Sequence, residues 1–152
     1  MADSTPFKYE NADDSAGFLL WKITALWQGK LAEVLGVYGI TQTQYAILAS
    51  LRWFEEKREP TTQSHLAEHT KIDKMTISKA IRRLEQSGLV LRESSLTDSR
   101  ATNVRFTGQG KRIIEDAIIA IENADEVFFS CLTDEQLNIY KSVTSAVIVN
   151  NL

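Results

Sequence analysis

Near Gly88 the hydrophobic period of this chain changes from three-to-four to two, and few folds accommodate that change where it falls. Upstream, Ile77, Ala80, Ile81 and Leu84 recur at helical spacing, which puts them on one face of a helix. Asp73 is a good N-cap for that helix, and Gly88 closes it after Ser87, since helix ends favour a residue that tolerates the left-handed conformation. Downstream, residues 89–93 and 102–106 alternate as strands do, separated by the polar, turn-rich stretch from Ser94 to Ala101. A short helix starting near Thr62 and carrying Leu66 and Ala67 precedes them, with a turn at Lys71-Ile72. Two short helices joined by a few residues and followed directly by a two-stranded hairpin make a helix-turn-helix with a wing.

The flanks are also helical. Residues 15–35 carry Leu19, Leu20, Ile23, Leu26, Trp27, Leu31, Val34 and Leu35 at three-to-four spacing, and Gly36 and Gly39 bracket the end. Thr41 and Gln44 form a capping box for a second helix through Ile47, Leu48, Leu51 and Phe54, which should stop before Pro60. After the hairpin, Thr107 caps a helix carrying Ile113, Ile114, Ala117, Ile118, Ile121, Ala124, Val127 and Phe128. Gly108 and Gly110 cost that helix little so near its start. A second capping box, Thr133 with Gln136, opens the last helix, through Leu137, Tyr140, Val143, Val147 and Ile148. The expected fold class is therefore mainly α: a winged helix-turn-helix, with a fourth helix and a two-stranded wing, flanked by long N- and C-terminal helices.

Charge is unevenly placed. The formal net charge is −3, yet Lys71 to Arg112 holds ten Lys or Arg against four Asp or Glu, net +6. A basic block in an otherwise acidic chain is the electrostatic footprint of a phosphate-binding face, or else a solvated surface that happens to be basic. With the apolar stripe of helix 73–87 turned inward, Lys74, Met75, Thr76, Ser78, Lys79, Arg82 and Arg83 face a partner or solvent. The B-DNA major groove, about 12 Å wide, admits one such helix. Thr76 and Ser78 are short hydrogen-bonding side chains, Met75 suits a thymine methyl, and Lys79 reaches a guanine edge. Lys74, Arg82 and Arg83 are better placed for phosphates. Thr62, Gln63 and Ser64, at the start of the preceding helix, can anchor a phosphate on unpaired N–H groups, or Thr62 can simply cap the helix. Arg100, on the thin tip 94–101 with Asp98 and Ser99, can enter the narrow, strongly negative minor groove. Asp98 could fix its direction by a bidentate hydrogen bond to the guanidinium, or the two form an ordinary surface pair of small effect.

These residues carry a resemblance. Leu66-Ala67, Leu84-Glu85-Gln86-Ser87-Gly88-Leu89-Val90-x-Arg92, Asp98-Ser99-Arg100-Ala101 and Thr107-Gly108-Gln109-Gly110 stand in the order and spacing of the MarR family of bacterial and archaeal winged-helix transcription regulators. Gly39-Ile40-Thr41-x-x-Gln44-Tyr45-x-x-Leu48 also looks like the start of that family's second helix. The resemblance spans roughly Ser15 to Asn150 and implies that Arg100 is the minor-groove arginine, oriented by Asp98. It implies that Arg92 supports the wing or contacts a phosphate. It further implies a homodimer in which helices 15–36 and 107–152 interleave with a second copy, around a DNA-binding lobe at 40–106. The bland alternative is that these helices pack within one chain. A two-fold dimer would set two recognition helices about 34–36 Å apart over a pseudo-palindromic operator in double-stranded DNA. Residues 1–14 are expected to be a flexible N-terminus.

No cofactor and no metal site is expected. Family members commonly answer to a small molecule, so the resemblance implies an aromatic or anionic effector. Trp21, Trp27, Tyr45, Arg52 and Trp53 would wall its pocket, unless they are core and interface aromatics. Cys131, beside Phe128, Phe129 and Leu132, reads as a buried small hydrophobe. His65 and His69 stand four apart but lack an evident third ligand other than Glu68. No Gly-rich phosphate loop and no Ser/His/Asp grouping argues for an enzyme. The polar start and short apolar runs point away from a secretory signal or membrane span, hence to the cytoplasm; the resemblance implies a bacterium or archaeon and a place on the nucleoid. The reading is a DNA-binding regulator, a ligand-responsive repressor. The competing reading is a winged helix that serves protein contact or dimerisation without reading DNA.

Overall fold

A computed structural model describes residues 4–152 of the chain. Six helices and one hairpin follow in order: α1 Ala16–Gly36, α2 Gln42–Glu56, α3 Gln63–Thr70, α4 Lys74–Gln86, β1 Val90–Ser94, β2 Thr102–Phe106, α5 Gly108–Phe128 and α6 Asp134–Val149. Of the expected flexible segment 1–14, residues 1–3 lie outside the described residues. Ala12–Asp14 forms one 3-10 turn, and Lys22 holds Asp13 at 2.9 Å.

The helix starts follow local chemistry. Ser15, Thr41, Thr62, Asp73, Thr107 and Thr133 each accept a backbone N–H of the first turn on the side chain, satisfying a donor the helix cannot. The expected capping boxes Thr41/Gln44 and Thr133/Gln136 both form. A third, Thr62/His65, was not legible, because the reciprocal acceptor is an imidazole nitrogen, His65 Nδ1, rather than a Glu or Gln oxygen.

The core lies where α2, α3 and α4 meet α5 and the base of the hairpin. Ile47, Leu48, Leu66, Ile81, Leu84, Val90 and Ile114 are completely buried there. The α4 stripe Ile77, Ala80, Ile81 and Leu84 faces it as its spacing requires. β1 and β2 pair antiparallel from Val90↔Phe106 to Ser94↔Thr102. The hairpin also has a third, one-residue edge that the sequence pattern did not disclose. Val104 N–H donates to the Thr61 carbonyl at 2.8 Å, and Thr62 bridges Asn103, so the wing's base is stitched to the start of α3.

Two glycines set how the hairpin joins α5. Gly88 has φ +76°, the left-handed cap that lets the chain turn from α4 into β1. Gly110 is buried against the Leu89 backbone, and a Cβ there would lie 2.7 Å from the Leu89 carbonyl carbon and closer still to its oxygen. Thr107 secures the same junction: its hydroxyl donates to the Gly88 carbonyl at 2.6 Å and its N–H to the Leu89 carbonyl at 3.1 Å. Gly110 is thus a requirement of close packing, more than a tolerated weak helix former.

The flanking helices leave apolar surface uncovered. No residue of α6 is buried. Leu19, Leu20, Trp21 and Leu26 of α1, and Ile139, Val143, Val147 and Ile148 of α6, are between 47% and 74% exposed. Cys131 is exposed in the short α5–α6 turn, which corrects the expectation of a buried thiol. It falls beyond the last turn of α5, where its apolar sequence neighbours pack on Trp27 and Tyr140 without covering it.

Candidate nucleic-acid interface

α4 is held at its N-terminus by Asp73, whose Oδ1 accepts from Thr76 N–H at 2.9 Å and whose Oδ2 accepts from the Thr76 hydroxyl at 2.6 Å. The Thr76 bonds keep the Asp73 carboxyl below its ordinary range. Thr76 therefore has its hydroxyl proton committed to the cap, and its methyl and oxygen lone pair are what it can offer outward. Lys74, Met75, Lys79, Arg82 and Arg83 are exposed, Met75 at 79%, and Ser78 is half-buried. Among the described residues none of these four cations sits in an ion pair. A helix face of unpaired cations around short polar side chains suits a phosphate-flanked groove.

At the start of α3 the three expected residues divide. Thr62 accepts from His65 N–H at 3.2 Å as the N-cap. Gln63 is half-buried, with its Oε1 enclosed and without a hydrogen-bond partner among the described residues. Ser64 alone is exposed.

The wing tip ties itself. Ser95 N–H donates to the Ala101 carbonyl and Ala101 N–H to the Asp98 carbonyl, both at 3.0 Å. Asp98 Oδ1 accepts the backbone N–H of Arg100 at 3.0 Å. The expected bidentate bond from Asp98 to the Arg100 guanidinium does not form. A carboxylate two residues upstream is better placed to close an Asx turn on the main chain than to reach past it to the side chain. Asp98 thus shapes the loop that presents Arg100, while the exposed guanidinium has no ion-pair partner among the described residues. Ser99 is exposed beside it.

Arg92 is committed inward. Its Nε and Nη2 donate to Glu85 Oε1 at 3.1 and 3.0 Å, and its backbone N–H donates to Glu85 Oε2 at 3.1 Å. The guanidinium bonds first, then the backbone bond, hold the Glu85 carboxyl below its ordinary range. Of the two roles expected for Arg92, the geometry favours wing support over phosphate contact. Glu85 went unrecognised as its partner, since seven residues of separation across a helix end and a glycine turn give no distance.

The five residues expected to wall an effector pocket do not come together within one chain. Trp21 is 74% exposed on α1. Trp27 lies edge-on to Phe128 at 5.2 Å, beside a cavity of about 370 Å³ between α1, α5 and α6. Tyr45 is half-buried on α2, and burial, then the charges of Glu122 and Asp125, pushes its phenol up to about 12. Arg52 and Trp53 share a cleft, about 420 Å³, with Ala49, Glu56, Glu115, Ile118 and Ile119. There Arg52 pairs with Glu56 at 2.8 Å and Glu115 at 3.1 Å, so the cleft offers no spare positive charge to an anion. His69 Nδ1 bonds the Ser50 hydroxyl at 2.8 Å, and both histidines pack on Phe54. Among the described residues no group of three or more His, Cys, Asp or Glu is disposed to hold a metal ion, and no helix is long and apolar enough to cross a membrane.

Comparison with known proteins agrees with this fold. The family model described as "MarR family" matches residues 40–102. A relative from Bacillus subtilis strain 168, the HTH-type transcriptional regulator YdcH, is 30% identical over 123 residues, covering 81% of this chain and 84% of its own. The Staphylococcus aureus MepR–DNA complex superposes with a TM-score of 0.81 at 20% identity, over 93% of this chain and 100% of that one. CouR from Rhodococcus jostii RHA1, solved bound to p-coumaroyl-CoA, superposes with a TM-score of 0.79 at 24% identity, over 91% and 95%.

Proposed function

Because this chain belongs to the MarR family, and is a DNA-binding regulator of transcription, we propose that it acts as a homodimeric repressor with α4 in the major groove and the wing in the minor groove. The observation that carries this reading is the cationic face of α4, Lys74, Lys79, Arg82 and Arg83, beside a wing that presents Arg100, none of them in an ion pair among the described residues. Lys79, Ser78 and the outward side of Thr76 address base edges, Lys74, Arg82, Arg83 and Ser64 address phosphates, and Arg100 enters the minor groove.

The dimer follows from the uncovered apolar faces of α1 and α6. Apolar patches of that extent on a small protein mark an interaction surface. A two-fold partner that buries them supplies the symmetric second half-site reader. Bound across a promoter, such a dimer occludes it. An effector that loosens the dimer would sit against Trp53 in the cleft between α2 and α5. With Arg52 neutralised by two carboxylates, that cleft suits an uncharged aromatic molecule better than an anion.

Sedimentation together with duplex binding tests the reading. The chain is expected to sediment as a dimer at micromolar concentration. Arg100→Ala is expected to weaken specific binding by about 1–3 kcal/mol. A monomer, or unchanged affinity in Arg100→Ala, would overturn the assignment.

A further inference from the structure

The recognition helix and the wing must enter two different grooves at once, so the angle between them is a determinant of binding. One side chain spans that angle. Glu85 stands in the last turn of α4, and both of its carboxylate oxygens are used by one residue of β1: Oε1 by the Arg92 guanidinium and Oε2 by the Arg92 backbone N–H. The pair is only partly exposed, 34% for Glu85 and 31% for Arg92. Because the backbone of β1 is held as well as its side chain, rotation of the Arg92 side chain alone cannot release the strand.

We propose that Glu85 is a positioning residue for DNA reading, one that sets the pitch of the wing relative to the recognition helix and so determines whether Arg100 reaches its groove. The inference rests on the DNA-reading assignment made above. Its physical basis is leverage. Ser94 lies about 7 Å beyond Arg92 at a strand rise near 3.3 Å per residue. A tilt of about 10° at Arg92 therefore moves the beginning of the tip by about 1 Å and Arg100 by more, beyond the roughly 0.5 Å that a functional contact tolerates. The other anchors of the hairpin do not replace this one. Val90 and Val104 are buried in the core, and Thr61 holds Val104 from the start of α3. These fix the base of the wing and its β2 side, whereas among the described residues the hydrogen bonds between β1 and the helix placed in the major groove are those of Glu85.

The test is a double-mutant cycle on a specific duplex, with Glu85→Ala, Arg100→Ala and the double variant, and with Glu85→Gln, which keeps an acceptor oxygen but not the charge. Thermal melts in parallel report folding. The expected result is coupling: where Arg100→Ala costs the unaltered chain roughly 10–100-fold in affinity, it costs the Glu85→Ala chain only a few-fold. Glu85→Gln should fall between, at nearly unchanged melting temperature. Losses that simply multiply, or a Glu85 effect that tracks melting temperature alone, would overturn the inference while leaving the DNA reading intact. Failure of the unaltered chain to bind any duplex specifically, or indifference to Arg100→Ala alone, would overturn the DNA reading and this inference with it.

Discussion

Gly110→Ala separates helix propensity from close packing. Gly110 occupies the third position of α5, where propensity alone favours alanine by up to about 1 kcal/mol. The structure reverses the sign. A Cβ at Gly110 would stand 2.7 Å from the Leu89 carbonyl carbon and nearer to its oxygen. Ordinary carbon contacts need about 3.5–4.0 Å, so the start of α5 and the start of β1 must part by about 1 Å. Both sides of the contact are backbone, and neither can rotate away. Parting stretches the Thr107 bonds to Gly88 and Leu89, worth about 1 kcal/mol each, and adds an overpacking cost of about 1–3 kcal/mol. The expected net loss is about 2–4 kcal/mol. At roughly 2–4 °C per kcal/mol for a chain of this size, the melting temperature falls by about 5–15 °C. Gly29, in the middle of α1 with nothing within 4 Å of an added Cβ, is the control: Gly29→Ala should hold or raise stability. Thermal and urea unfolding at one protein concentration measure both variants. A Gly110→Ala chain as stable as Gly29→Ala would refute the close approach and the account of how α5 is docked.

Other expectations follow from the same geometry. Arg83→Ala should lower affinity for every duplex alike and reduce the slope of log affinity against log salt by about 2 for a dimer; a loss confined to one base position would instead make Arg83 a base reader. Tyr45 has its phenol raised from 10.0 to about 12 by burial, then by Glu122 and Asp125. A group that ionises later in the folded chain contributes stability that is complete below pH 10 and is lost as pH rises towards 12. Tyr45→Phe should therefore flatten the fall in melting temperature across that window. Aromatic effectors that weaken DNA binding should quench tryptophan fluorescence in the unaltered chain and not in Trp53→Phe; equal quenching in both would place them away from the α2–α5 cleft.

The architecture was legible because each element announces itself locally. Thr41/Gln44, Asp73 and Thr133/Gln136 fix helix starts within a turn, and Ile77, Ala80, Ile81 and Leu84 declare which side of α4 is buried. What stayed hidden depends on contacts distant in sequence or on atoms that composition does not locate. Thr61 gains its role from Val104, forty-three residues on. Glu85 gains its role only once Gly88 turns β1 back along α4. Asp98 and Arg100 are neighbours in the chain, yet the bond between them runs through the main chain, a distinction no residue pattern carries. The expected effector residues lie apart within one chain for a related reason: helical periodicity fixes each residue's side of its own helix but not how one helix is rotated against the next.

The central claim is that two copies of this chain read duplex DNA through α4 and the wing. Its most direct test is selection of a random duplex pool by the full chain at about physiological salt, followed by sequencing of the bound fraction. A pseudo-palindrome with half-site centres one helical turn apart is the predicted result. An unenriched pool, or a single asymmetric site, would contradict it.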